Sequence, residues 1–287
     1  MLMFSESVRR TRQVSIMNGM HDGLQTTGYP SCALPYYNDG HYRRVAVVPQ
    51  RKDRSIGSIF GKLIAIIVIL AFCAVAFYVS RGYTMYSEAL EATSLDTVVA
   101  SIEAAPGYTP IDELPQRYLD AVIAVEDHRF YLHPGFDVIA TTRALVNDLK
   151  AGAFVEGGST ITQQLAKNQY FTQDREIDRK VAEVFMAFTI EANLPKDKIL
   201  ELYVNSIYFG DGYYGIRDAS MGYFGKEPSE LTDYEATLLA GIPNAPSVYA
   251  PTANPELAAE RQQQVLRQMV EYKMLTPKES QEIAQAA

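Results

Sequence analysis

Apolar residues follow two patterns along this chain. From Leu63 to Val79 they run without interruption, LIAIIVILAFCAVAFYV, with no charge and no proline. With Ile59, Phe60 and Gly61 in front, the run reaches about 20 residues, enough for a helix to cross a bilayer. Elsewhere the apolar positions recur at helical spacing. Tyr118, Leu119, Val122, Ile123 and Val125 line a helix that ends near Glu126 and Asp127. Ile177, Val181, Val184, Phe185 and Phe188 mark a second, with Asp174 as its cap, and Ile199, Leu202 and Tyr203 a third behind Pro195. A last amphipathic helix covers 255–274, and residues 87–105 read as mostly helical up to Pro106-Gly107. Thr160 with Gln163, after the break at Gly157-Gly158, and Thr232 with Glu235 form capping-box patterns that open further helices. Tyr208 to Gly215 reads as a loop, and Pro243, Pro246 and Pro251 mark an irregular stretch. No segment alternates as a strand would, and no repeat is visible. The predicted class is mainly α.

Residues 1–58 show no sustained period and read as a disordered tail. Charge then orients the chain. Residues 1–62 carry nine Lys/Arg against four Asp/Glu, and the whole chain has a net charge of −8, so the remainder is strongly acidic. Basic residues crowd the N-terminal side of the apolar run, while only Arg81 follows it closely. The positive-inside rule puts the N-terminus in the cytoplasm and the rest outside. Ala74-Val75-Ala76 has the form of a signal-peptidase site, but the run starts too far from Met1 and is too long for a signal peptide. The acidic bulk argues against a nucleic-acid partner. Two cysteines, Cys32 and Cys73, exclude a disulfide framework in the C-terminal part.

Two groups of residues carry candidate chemistry. Glu126 ends a strongly apolar helix, where desolvation and the negative end of the helix dipole both raise a carboxyl pKa. Such a group can serve as a base near neutral pH, although a solvated helix end would look the same in sequence. Gln163, Gln164 and Lys167 share one helix face, and Arg175, Arg179 and Lys180 follow closely. This cluster in an acidic domain suits an anion such as a pyrophosphate. Pairing of Arg179 and Lys180 with Glu183 along a helix surface is the structural alternative.

Together these residues resemble the five motifs of the family-51 glycosyltransferases, the peptidoglycan glycosyltransferase domains of class A penicillin-binding proteins and monofunctional transglycosylases. Residues 126–137 (EDHRFYLHPGFD) resemble the first motif, 157–164 (GGSTITQQ) the second, 179–183 (RKVAE) the third, 199–210 (ILELYVNSIYFG) the fourth and 240–246 (AGIPNAP) the fifth. The motifs stand in family order within about 105–275. The resemblance implies a lysozyme-like glycosyltransferase domain with a small jaw lobe, preceded by one transmembrane helix. The expected organisation is a cytoplasmic tail to 58, a membrane helix over 59–80, a helical linker over 81–110, the catalytic domain over 111–275 and a short tail from 276. The jaw is expected within 137–160, with Leu145, Val146, Leu149, Phe154 and Val155 toward lipid.

The implied reaction joins a lipid-linked glycan chain to lipid II with inversion, forming a β-1,4 bond and releasing undecaprenyl pyrophosphate. Glu126 would be the base. Lys167 and Arg175 would face the pyrophosphates. Glu183 would orient the basic residues or hold Mg2+ or Mn2+, the cofactor the resemblance implies. Asp127, Ser159, Thr160, Gln163, Gln164, Arg179, Lys180 and Asn205 would line the cleft. Phe130 and Phe136 read as core, His133 as a structural histidine, and Tyr208, Tyr213 and Tyr214 as either sugar contacts or buried rings. The expected location is a bacterial cell membrane, with the catalytic domain on its outer face and a transpeptidase or other cell-wall proteins as partners. No Ser-x-x-Lys with Ser-x-Asn and Lys-Thr-Gly occurs, so no cross-linking activity is expected from these residues. A glycan-cleaving hydrolase and an inactive membrane-bound scaffold are the rival readings.

Overall fold

The computed structural model describes residues 56–152, 157–171 and 176–286. Most of the tail expected over 1–58 lies outside the described residues, as do the Asp174 cap, Arg175, Phe154, Val155 and the side chain of Leu145. The described residues are mainly α, as the periodicity implies. No strand forms among them, apart from one isolated antiparallel bridge between Tyr208 and Tyr214.

The first helix, α1, runs from Ile56 to Ala92 without a break. At 1.5 Å per residue it is about 55 Å long. Its two parts have different surroundings. Residues 60–80 are all exposed and mostly apolar, the pattern of a helix made for lipid. From Arg81 onward it packs along α6 (Glu176–Asn193). Arg81 pairs with the buried Asp178 at 2.7 Å, and the Tyr86 and Thr189 hydroxyls meet at 2.8 Å. Tyr83 and Tyr86 both pack on the Phe185 ring. The helices approach so closely at Gly82 that a Cβ there would lie 2.5 Å from Val181 Cβ. Only glycine fits at that crossing.

The core is built around α3 (Gln116–Glu126), reached through α2 (Leu95–Glu103). Tyr118, Leu119, Ala121, Val122, Ile123 and Ala124 are buried on it. It packs against α9 (Asp233–Gly241) and α11 (Pro255–Glu271). Ala236 through Gly241 are all buried, which makes α9 a core helix with no polar stripe. Truncating the fully buried Leu239 on it to Ala would cost about 2–5 kcal/mol. On the other side, α5 (Ile161–Tyr170) packs on α6 and on α7 (Lys196–Val204). Both expected capping boxes form, Thr160 with Gln163 on α5 and Thr232 with Glu235 on α9. α8 (Ile216–Phe224), the short α10 (Pro246–Tyr249) and α12 (Pro277–Ala284) complete the fold.

Between α3 and α5 lies α4 (Val138–Ala151), which leaves Val138, Ile139, Val146 and Leu149 exposed. Leu149 is 73% exposed. This apolar strip falls in the segment expected to form the jaw.

Candidate active site

The ends of α3 and α5, one face of α6, and α11 surround a cavity of about 660 Å³. Nine of the sequence-derived site residues line it together: Glu126, Asp127, Ser159, Gln163, Gln164, Lys167, Arg179, Lys180 and Glu183. Its wall also carries Arg143 and Arg261, so five cations face three carboxylates in a chain whose net charge is −8. The cavity is therefore locally suited to an anion.

Glu126 sits where α3 stops. Gln164 Nε2 donates to Glu126 Oε2 at 2.7 Å, and Tyr203 Oη donates to Gln164 Oε1 at 3.1 Å. Burial raises the Glu126 pKa above the usual carboxylate range. The Gln164 hydrogen bond and the charge of Arg261 work against that rise, and the neighbouring Asp127 adds to it. Arg261 comes from α11, held by Gly241 O at 3.3 Å and Gln264 Oε1 at 2.9 Å, with its guanidinium over the Tyr249 ring.

Asp127, one residue on, is committed to structure. His133 Nε2 lies 3.0 and 2.9 Å from its two oxygens, and Ile161 N–H donates to Oδ2 at 3.1 Å. His133 Nδ1 accepts from Gly135 N–H, so the imidazole proton sits on Nε2 and points at Asp127. Thr160 Oγ1 donates to Gly135 O at 2.7 Å. These bonds fasten the loop after α3 to the first turn of α5 and so register Gln164 against Glu126. Asp127, His133 and Asp137 are close enough to share a metal ion. Their ligand atoms are already engaged, however, since Asp137 caps α4 at Ile139 and Ala140 and pairs with Arg129 at 2.8 Å. The trio fits a structural latch, not a metal centre.

The third motif forms the cationic wall. Glu183 is buried at 1% exposure. Lys180 Nζ bonds to its Oε2 at 2.9 Å and to Ser159 Oγ at 2.6 Å. Arg179 Nε lies 3.2 Å from Glu183 Oε1, within ion-pair range but without hydrogen-bond alignment. The helix-surface pairing considered from sequence is real, and it faces the cavity. Among the described residues Lys167 has no ion-pair partner.

Buried polar atoms normally find partners. Among the described residues, four atoms of this wall have no hydrogen-bond partner: Glu126 Oε1, Gln163 Nε2, Arg179 Nε and Glu183 Oε1. Two of these atoms are N–H donors, which need an acceptor, and two are carboxylate oxygens, which need a donor; a ligand carrying both hydroxyl groups and anionic oxygens would supply both.

Two expected lining residues sit elsewhere. Asn205 is buried against the chain: its Oδ1 accepts from Thr109 N–H and its Nδ2 donates to Thr109 O, each at 2.8 Å. It ties α7 to the segment before α3 and does not line the cavity. Thr160 is buried as the N-cap of α5 and also stays out of the wall. Arg175 lies outside the described residues. The sequence reading missed Arg261, Arg143, Tyr249 and His128. His128 adjoins Glu126 in the first motif and stacks on Tyr272 at 4.0 Å. Burial, then the charge of Arg143, holds its pKa below the ordinary histidine value.

Residues 95–270 match the profile of the family described as Transglycosylase. The chain is 43% identical to penicillin-binding protein 1F of Bacillus subtilis over 229 residues, covering 76% of this chain and 32% of that protein. It is 45% identical to penicillin-binding protein 1A of Aquifex aeolicus over 175 residues, 61% of this chain and 24% of that one. A candidate transglycosylase of Cupriavidus necator is 46% identical over 178 residues, 62% of this chain and 76% of its own length. The chain thus spans a third or less of the first two proteins and three quarters of the last.

Proposed function

Because the chain belongs to the transglycosylase family, a family of glycosyltransferases that build peptidoglycan, we propose that it polymerises lipid II on the outer face of a bacterial membrane. One observation carries this reading: a carboxylate made basic by burial shares a cavity with a row of cations and unsatisfied donors. In the proposed step Glu126 takes the proton from the acceptor sugar's 4-hydroxyl. That oxygen attacks the donor's anomeric carbon, and the bond to the pyrophosphate breaks with its electron pair on the leaving oxygen. Lys167, Arg179 and Lys180 hold the charge that develops there, so no general acid is required. By its motif position Arg175 would share this role. A base on the face opposite the leaving group gives inversion. Gln163 Nε2 supplies a donor for a substrate oxygen.

Mg2+ or Mn2+ is part of this proposal in a restricted form. Among the described residues Glu183 is the one carboxylate available beside the cationic wall, and two cations already lie against it. That set does not fit a divalent ion bound by the protein alone. It fits one that arrives on pyrophosphate oxygens, since Mg2+ commonly combines one carboxylate with substrate phosphates. Glu183 would then hold it, and the ion would supply further neutralisation of the leaving group.

The α1 anchor and the apolar strip on α4 suit substrates with polyprenyl tails, and the crowd of basic residues before α1 supports a cytoplasmic N-terminus. A transpeptidase, in a partner or in the same protein, would cross-link the strands. The test is to give the purified chain, in liposomes, labelled lipid II or preformed glycan. Growth of strands from lipid II is expected, slowed by excess chelator. Cleavage of glycan without strand growth would establish the hydrolase instead, and an unchanged rate in chelator would remove the metal. Protease added outside intact spheroplasts is expected to digest the domain beyond α1; protection would reverse the topology.

A further inference from the structure

We infer that Tyr203 is a positioning residue for Glu126, acting through the side-chain amide of Gln164. The inference rests on the reading of Glu126 as the base. Tyr203 is fully buried on α7, and its hydroxyl is spent on Gln164 Oε1. The other end of the same amide donates to Glu126 Oε2. The two ends of a glutamine amide are nearly equal in size, so packing alone does not choose which faces the carboxylate. An ionised carboxylate only accepts, which requires the NH2 group on its side and leaves Oε1 in need of a donor. The Tyr203 hydroxyl is that donor. Burial and the charge of Glu126 hold its pKa well above the ordinary tyrosine value, so it keeps its proton wherever the enzyme works.

Tyr118 provides the contrast. It is equally buried and also feels the charge of Glu126, yet its hydroxyl has no hydrogen-bond partner among the described residues. Tyr203, by contrast, is linked to Glu126 through Gln164 by two hydrogen bonds. Gln164 therefore has a use other than lining the cleft: it fixes how the carboxylate is turned, and Tyr203 fixes Gln164. Both supports enter from α5 and α7, while Glu126 ends α3, so three helices must be in register for the base to be held.

Tyr203→Phe removes the hydroxyl and keeps the ring. With lipid II as substrate, kcat is expected to fall about 5- to 10-fold, the effect of one buried hydrogen bond. KM should stay near its original value, because Tyr203 touches no substrate. The Gln164 bond favours the charged form of Glu126, so loosening it moves the acidic limb of the kcat profile to higher pH. The other ionisable groups around Glu126, namely Asp127, His128, Arg143, Lys167, Arg261 and the Arg179–Lys180–Glu183 cluster, are unchanged in this variant. Gln164→Leu should act in the same direction, and the double variant should be no worse than Gln164→Leu alone. Multiplied losses in the double variant, or an acidic limb that stays in place, would overturn the inference. A second readout needs no turnover: titration of the Glu126 carboxyl by NMR in chain labelled at glutamate carboxyl carbons. A titration shifted upward in Tyr203→Phe supports the positioning role even if the wild type fails to polymerise lipid II, the result that would sink the functional reading alone. An unmoved titration sinks the positioning role whatever the activity.

Discussion

Glu126→Gln is expected to lose strand synthesis by about a thousandfold while gaining stability at neutral pH. The first effect follows from removing the proposed base. The second follows from the sign of its pKa shift. Burial raises the folded-state pKa of Glu126, so the folded chain holds this proton more tightly than the unfolded chain. Stability therefore falls as pH rises from the ordinary glutamate pKa through the raised one, and the deficit persists above it. Glutamine carries no charge to desolvate and can still accept from Gln164. Unfolding midpoints of the two proteins should coincide in acid and separate as pH rises, with the variant higher. A variant that melts lower at neutral pH would mean that Gln164 and Arg261 more than compensate the burial, and the raised pKa would be wrong.

Lys167→Ala is expected to lower kcat about 100- to 1,000-fold, or roughly 2.7–4 kcal/mol of transition-state stabilisation. KM for lipid II should change little, because charge on the leaving oxygen builds up only as the bond breaks. Lys167 has no ion-pair partner among the described residues, so its loss strands no buried charge and the fold should hold. Steady-state kinetics separate the two parameters. A rise in KM with unchanged kcat would assign Lys167 to ground-state binding and take it out of the bond-breaking step. Equal activity toward preformed glycan in variant and wild type would favour the hydrolase.

Much of this site is legible in the sequence because its residues are local. Glu126 and Asp127 end one apolar helix. Gln163, Gln164 and Lys167 lie on one turn of α5, and Arg179, Lys180 and Glu183 on one turn of α6. Helical spacing alone puts each set on one face. What spacing cannot reveal is which distant segment a side chain will meet. Asn205 belongs to the fourth motif, yet its partner is the backbone of Thr109, 96 positions earlier. Arg261 has the opposite history. On an amphipathic helix an arginine reads as polar surface, and only the packing of α11 on α3 carries it to Glu126. The end of α1 was hidden for a related reason. Hydrophobicity marks where lipid stops near Val79, but the helix continues to Ala92 because α6 offers it a second surface.

That second surface makes α1 a lever. The same α6 that receives Arg81, Gly82 and Tyr86 carries Arg179, Lys180 and Glu183 into the cavity. A rod that runs unbroken from its exposed apolar part to its packing on α6 cannot tilt at one end alone. Tilt is how a spanning helix answers a bilayer thinner than its apolar length. On the proposed function, membrane thickness then becomes an input to the reaction. Turnover should vary with acyl-chain length at fixed headgroup, and should cease to vary when a flexible glycine-rich insert uncouples residue 80 from residue 81.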